Sequence, residues 1–267
     1  LGVAGNPLNP NNTVEVIPNG SIFLNTGRQF FQGFDYLYDP IGGFVGYAWA
    51  GVSGAIGQVT PGLSLVGNVD LQNGFLASLP TFLMGGTTLL QTGVGTISSV
   101  IAGSGGLTIG SGLISLTGTN TYTGGTTVTG GATLGISADS GMGAAAGGLT
   151  LNGGTLQALA ALTLARQVTL GASGGTFNTN GNNIALSAAV SGTGGLTKQG
   201  AGTLTLGAAS SYTGTTAVDA GTLQLGVANA LPSSTAVTIA SGATLAVNGV
   251  TQTIGSLAGA GTLSLGG

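Results

Sequence analysis

The chain has no cysteine and no histidine, and only nine of its 267 residues carry a formal charge, six acidic and three basic. Without cysteine there is no disulfide framework and no thiolate metal site. Without histidine there is no Ser-His-Asp triad, no imidazole ligand and no histidine pH switch. Charged residues make up 3% of the chain, against about 25% in an ordinary globular protein. The surface must then be covered mainly by Gly, Ser, Thr, Asn and Ala, and a near-neutral surface favours association. A net charge of −3 with three scattered basic residues leaves no footprint for nucleic acid. No apolar run reaches the roughly 20 residues of a membrane helix. The nearest candidate, 41–66, is interrupted by recurring Gly and by Pro61. No membrane span and no cofactor are expected.

What the chain has in quantity is glycine, 55 residues of it, and repetition. Gly105-Gly106-Leu107-Thr108 leading to Tyr122-Thr123-Gly124-Gly125-Thr126-Thr127-Val128 is copied by Gly194-Gly195-Leu196-Thr197 leading to Tyr212-Thr213-Gly214-Thr215-Thr216-Ala217-Val218. Leu107 and Leu196 stand 89 positions apart, and Tyr122 and Tyr212 stand 90 apart. Self-similarity at a fixed period marks a solenoid, whose units bury their apolar faces only against neighbouring units. From Gly103 onward the text is short β-rich runs between Gly-containing turns, such as Leu113-Ile114-Ser115-Leu116, Thr203-Leu204-Thr205-Leu206 and Thr222-Leu223-Gln224-Leu225. Alternation puts Leu on one face and Thr or Gln on the other. Strands so short, with no hairpin signal between every pair, predict a parallel β-helix with strands stacked ~4.8 Å apart. Coils of ~20 residues give roughly seven or eight of them after residue 103.

Eleven of the fourteen aromatic residues precede residue 100, among them Phe30, Phe31, Phe34, Tyr36 and Tyr38. This shift divides the chain into an aromatic-rich region, 1–102, serving as cap, interface or early rungs, and a repeat-containing β-helix, 103–267. In the first region Thr13-Val14-Glu15-Val16-Ile17 alternates as a strand, with Ser21-Ile22-Phe23-Leu24 as hairpin partner or next rung. Large aromatics dominate packing and also form interface hot spots, so the cluster serves as core, cap or contact surface.

Gly194 to Leu206, with Ser211 to Thr216 and Ala220 to Leu225, closely resembles the autotransporter-associated β-strand repeat; Gly105 to Leu134 is a looser copy with Ile109-Gly110 in place of Lys198-Gln199. The resemblance spans about residues 103–267. It implies a right-handed parallel β-helix, an extracellular or outer-surface location in a Gram-negative-type bacterium, and roles in adhesion, aggregation or matrix building. The family repeat has no catalytic residues to carry over. A start at Leu1 fits a processed, exported chain, and no membrane barrel is expected within it. The last residues, Gly259 to Gly266, copy Gly200 to Gly207, the opening of a repeat, so an open last coil is expected around Leu263 and Leu265. Such an edge templates pairing. A non-closing head-to-tail contact, with Phe30, Phe31, Phe34, Tyr36 and Tyr38 as the receiving surface, would give a filament.

Catalysis has little to work with. Asp35 and Asp39 are the close acid pair, with Arg28 nearby, and together they could form a polysaccharide-cutting site; a turn at Asp39-Pro40 is the simpler reading. Asp139 and Asp219 read as turn residues, and Arg166 and Lys198 as solvated. Thr121/Thr123 and Thr203/Thr205 could stack into hydroxyl ladders facing ice or glycan. The sequence therefore points to a structural surface or extracellular protein that self-associates into fibres or matrix. Two alternatives stay open, a monomeric adhesin passenger binding host or glycan surfaces and a polysaccharide-acting enzyme.

Overall fold

The computed structural model describes residues 93–266 in full. Before them it gives the backbone of strands Phe34–Tyr38, Val45–Trp49, Leu63–Leu65, Asn68–Gln72, Thr81–Leu83 and Thr88–Thr92. Strands and turns account for nearly all of it; the helical content is two 3₁₀ turns, Asp139–Met142 and Ala145–Gly147. The expected strand at 13–17 and its partner, with Phe30, Phe31, Arg28 and Asp39, lie outside the described residues.

Alternating apolar residues need a partner surface, and each coil finds it in the coils above and below. Nine strands stack in one ladder, starting at residues 94, 113, 133, 154, 175, 196, 216, 236 and 256. Successive starts are 19–21 residues apart, and every pairing in this ladder is parallel and in register. The fold is thus a parallel β-solenoid, and eight of the nine strands follow residue 103, in line with the coil count read from the sequence. A second ladder holds seven strands, from Asn68–Gln72 to Val190–Gly192, and a third holds six, from Leu162–Leu164 to Thr262–Ser264. Each full coil visits them in turn, as in Leu149–Asn152, then Gly154–Ala158, then Leu162–Leu164. We call these the first face (Asn68 to Gly192), the second face (Val94 to Gly259) and the third face.

Before residue 104 the place of the third face is taken by a ladder of Leu63–Leu65, Thr81–Leu83 and Ile101–Gly103, paired in parallel. Val45–Trp49 and Phe34–Tyr38 extend it in antiparallel fashion. Parallel pairing runs across position 103, since Thr88–Thr92 pairs with Gly106–Ile109.

Inside the prism one residue per coil stacks on its equivalent. On the second face the column is Ile114, Leu134, Leu156, Phe177, Lys198, Val218 and Ile239, all buried. Each large apolar member contributes about 1.5–3 kcal/mol by leaving water. Lys198 is the exception in kind, and it corrects the expectation of a solvated lysine.

The two sequence copies do not sit above one another. The Gly106–Ile109 strand of the first copy is on the first face, and the Leu196–Gln199 strand of the second copy is on the second face. Likewise Thr126–Thr129 lies on the first face and Thr216–Val218 on the second. A displacement of 89–90 residues is not a whole number of coils; it is four coils plus one face.

Candidate functional site

The repeat blocks have a structural purpose. Gly105 lies directly beneath Gly124, whose amide donates to the Gly105 carbonyl at 2.9 Å, and Gly214 donates in the same way to Gly194 at 3.2 Å. A Cβ on Gly124 or on Gly214 would overlap the backbone beneath it, so adjacent coils can approach at this corner only where both lack side chains. The tyrosine two residues earlier turns inward. Tyr122 and Thr126 share a 2.5 Å hydrogen bond between hydroxyls, and Tyr212 and Thr216 share an equivalent one of 2.5 Å. Burial pushes Tyr212 up to about 12, partly offset by its bond to Thr216, and raises Tyr122 in the same direction.

Both cations of the described region are also structural. Arg166 is buried, with Nε donating to Asp139 Oδ1 at 2.6 Å, Nη1 to the Met142 carbonyl at 2.8 Å, and Nη2 to the carbonyls of Asp139 and Gly143 at 2.7 and 3.0 Å. It pins the 3₁₀ segment at the place where the early ladder gives way to the third face. On its other side that segment bonds residues 120–122, through Asn120 N to the Ser140 carbonyl and Ala144 N to the Tyr122 carbonyl, both at 2.9 Å. Lys198 Nζ donates to Thr179 Oγ1 and to the carbonyls of Gln199, Gly200 and Ala220 at 2.7–3.1 Å, which ties three successive coils together. Burial lowers its pKa to about 8. Neither side chain is solvated. The signal missed in the sequence was position: Lys198 falls on the inward phase of its strand.

With Arg166 and Lys198 inside and Asp139 engaged by Arg166, Asp219 is the one exposed charged side chain among the described residues. The described aromatics, Tyr122, Phe177 and Tyr212, are buried as well. Apart from scattered apolar side chains such as Val94, Leu113 and Leu159 and the leucines of the last coil, the described outer surface is left to hydroxyls, amides and backbone.

These groups are ordered. On the first face Thr108, Thr127, Thr150, Thr169 and Ser191 stack in register. On the second face Thr133, Thr155, Thr176 and Thr197 do the same, and beside them Gln157, Asn178 and Gln199 form an amide column. Three successive coils thus present Thr-x-amide outward: Thr155/Gln157, Thr176/Asn178 and Thr197/Gln199. The sequence carries this pattern at an interval of 21 residues, a signal distinct from the Thr-x-Thr pairs. The expected ladders are not continuous: Thr205 stacks between Ala185 and Gln224, and Thr121 and Thr123 lie outside the strands. At the corner entering the second face, a groove of about 340 Å³ is lined by Ser173, Gly174, Thr176, Gly195, Thr197 and Thr215 among others.

Of the interface residues read from the sequence, Phe34, Tyr36 and Tyr38 fall in the strand Phe34–Tyr38, as does Asp35. Leu263 lies in Thr262–Ser264 and is 42% exposed, and Leu265 is 63% exposed. Asp139 and Asp219 are on different coils, and no group of three or more His, Cys, Asp or Glu side chains is gathered among the described residues. Among the described residues no helix is long and apolar enough to cross a membrane.

Fold and surface together define a repeat-built β-solenoid whose described exterior is nearly free of charge and rich in hydrogen-bonding groups. The family model for the passenger-associated transport repeat matches residues 102–136 and 196–225, the two copies that the solenoid carries on different faces. Over 128 residues, 47% of this chain, the sequence is 47% identical to the adhesin BmaC autotransporter of Brucella suis biovar 1 (strain 1330), with 4% of that protein covered. The chain thus carries two repeats of the kind found in autotransporter passengers, which indicates a location outside a Gram-negative cell or on its surface. No solved structure matches it.

Proposed function

We propose that the chain is part of an adhesin-type passenger, a rod whose work is contact and not catalysis. The observation that carries this reading is the exterior of the described solenoid: stacked hydroxyl and amide columns with one exposed charge, and with the cations and aromatics turned inward. A surface built this way makes many weak hydrogen bonds in parallel, which is how a repeat array gains avidity. The name of the Brucella relative, an adhesin, agrees with it. The test is adhesion of beads coated with the purified chain to cell monolayers, against beads coated with an unrelated β-solenoid. Equal retention of the two bead types would remove the reading.

A second reading, head-to-tail self-association into fibres or matrix, is favoured by Leu257, Leu263 and Leu265, which are 45%, 42% and 63% exposed on the last coil. A further coil, from a longer chain or from a second copy, would cover them. In this reading residues 1–102, with Phe30, Phe31, Phe34, Tyr36 and Tyr38, supply the receiving surface and residues 103–267 the rod. Electron microscopy across a concentration series is the check. Filaments that Leu263→Lys with Leu265→Lys abolishes support the second reading, and dispersed rods at every concentration refute it.

A further inference from the structure

We infer that the second face binds a strand of uncharged polysaccharide, one sugar unit or so per coil, along Thr155/Gln157, Thr176/Asn178 and Thr197/Gln199. The inference rests on the adhesin reading and gives it a partner class. The hydroxyls of Thr155, Thr176 and Thr197 and the amide of Gln157 have no hydrogen-bond partner among the described residues. Asn178 uses only its oxygen, accepting from Asn180 N at 2.9 Å, and Gln199 donates to Asp219 at 3.3 Å. Free donors and acceptors therefore recur along one line at the coil spacing of about 4.8 Å. An amide offers a carbonyl and an N–H₂ side by side, the pair needed to bridge neighbouring hydroxyls of a sugar ring. The adjoining groove exposes Gly174 and Gly195, where the missing side chains allow a ring to reach the backbone.

The same surface argues against other partners. Nucleic acid and acidic glycans need exposed cations, and both cations of the described residues are buried. Protein interfaces draw their energy from Trp, Tyr and Arg anchors, and the described surface exposes none of them. Ice would require a uniform hydroxyl lattice, whereas the second column here consists of long, rotatable amides.

The test uses the full chain in affinity electrophoresis through gels containing dextran, amylose, a linear β-glucan or heparin, at low and high salt. Retardation by at least one of the neutral polymers, unchanged by salt, is expected, with no retardation by heparin. The triple variant Thr155→Val, Thr176→Val and Thr197→Val keeps β-branched shape but loses three hydroxyls. Combined with Gln157→Ala, it should weaken that retardation at least about tenfold without altering thermal unfolding by more than a few degrees. A control substitution on the third face, Thr205→Val, should leave binding intact. Salt-sensitive binding to heparin, or full binding by the quadruple variant, overturns the proposal. Cell adhesion without retardation by any neutral polymer also overturns it but leaves the adhesin reading standing. Loss of adhesion and retardation together removes both.

Discussion

Gly214→Ala isolates the close approach that the repeat corner requires. Gly214 does not have a positive φ, so alanine is acceptable to its own backbone. The obstacle is the coil beneath, where the added Cβ would come within 2.6 Å of the Gly194 carbonyl oxygen and closer still to other backbone atoms. Backbone cannot swing aside, so the coils must part by the better part of an ångström. That strains the bonds from Thr213 N to the Gly192 carbonyl at 3.0 Å, from Gly214 N to Gly194 at 3.2 Å, and from Leu196 N to Thr215 at 2.9 Å. At about 1 kcal/mol per hydrogen bond, with overpacking of similar size, the loss is about 3 kcal/mol or more. Gly242→Ala is the counterpart: it has φ +81° and open space around its Cβ position, so it loses only the left-handed penalty of about 1–2 kcal/mol. Denaturant unfolding combined with hydrogen exchange is the appropriate assay, because stacked repeats can open locally. Gly214→Ala should speed exchange over 190–218, and Gly124→Ala should do the same one face away over 101–128. If Gly214→Ala proves no more damaging than Gly242→Ala, the stacking account of the repeat glycines is wrong.

Arg166→Met leaves Asp139 unpaired and takes the guanidinium donors from three carbonyls, of which that of Met142 keeps a 3.2 Å bond from Thr126, so a loss of about 3–5 kcal/mol is expected, with exchange accelerated at 139–147 and unchanged at 236–246. Phe177→Ala opens a cavity between Leu156 and Lys198 and should lower stability by about 3–5 kcal/mol, measured as a shift of the denaturation midpoint. For pH, burial raises the phenol pKa of both repeat tyrosines in the folded state. Their contribution to stability is complete below pH about 10 and is lost as the pH rises through about 12 for Tyr212 and beyond that for Tyr122. Far-UV circular dichroism across that window should show alkaline unfolding, with a shallower pH dependence in the Tyr122→Phe, Tyr212→Phe double variant.

The sequence by itself determined the class of fold. Leu204 and Leu206 alternating with Thr203 and Thr205, a recurrence near 20 residues and glycine at the turns leave a stacked parallel solenoid as the arrangement in which every short strand finds partners. The repeat itself was legible in the order Gly-Gly-Leu-Thr, Tyr-Thr-Gly, Thr-Leu. Only the tertiary structure decided where each copy faces, because 89–90 residues is not a multiple of a coil and the remainder turns the second copy onto the next face. It also decided the fate of the charges. Composition suggests that the few cations seek water, yet Lys198 finds a hydroxyl and three carbonyls spread over three coils and Arg166 the carbonyls of a 3₁₀ segment, partners separated from them by as many as 27 residues in sequence. The candidate site was written in the chain as Thr-x-amide at an interval of 21, but equal spacing becomes a binding surface only when the coils are themselves 21 residues long at 155, 176 and 197. Coil length is set by packing along the whole stack, and so the alignment of those side chains belongs to the tertiary structure.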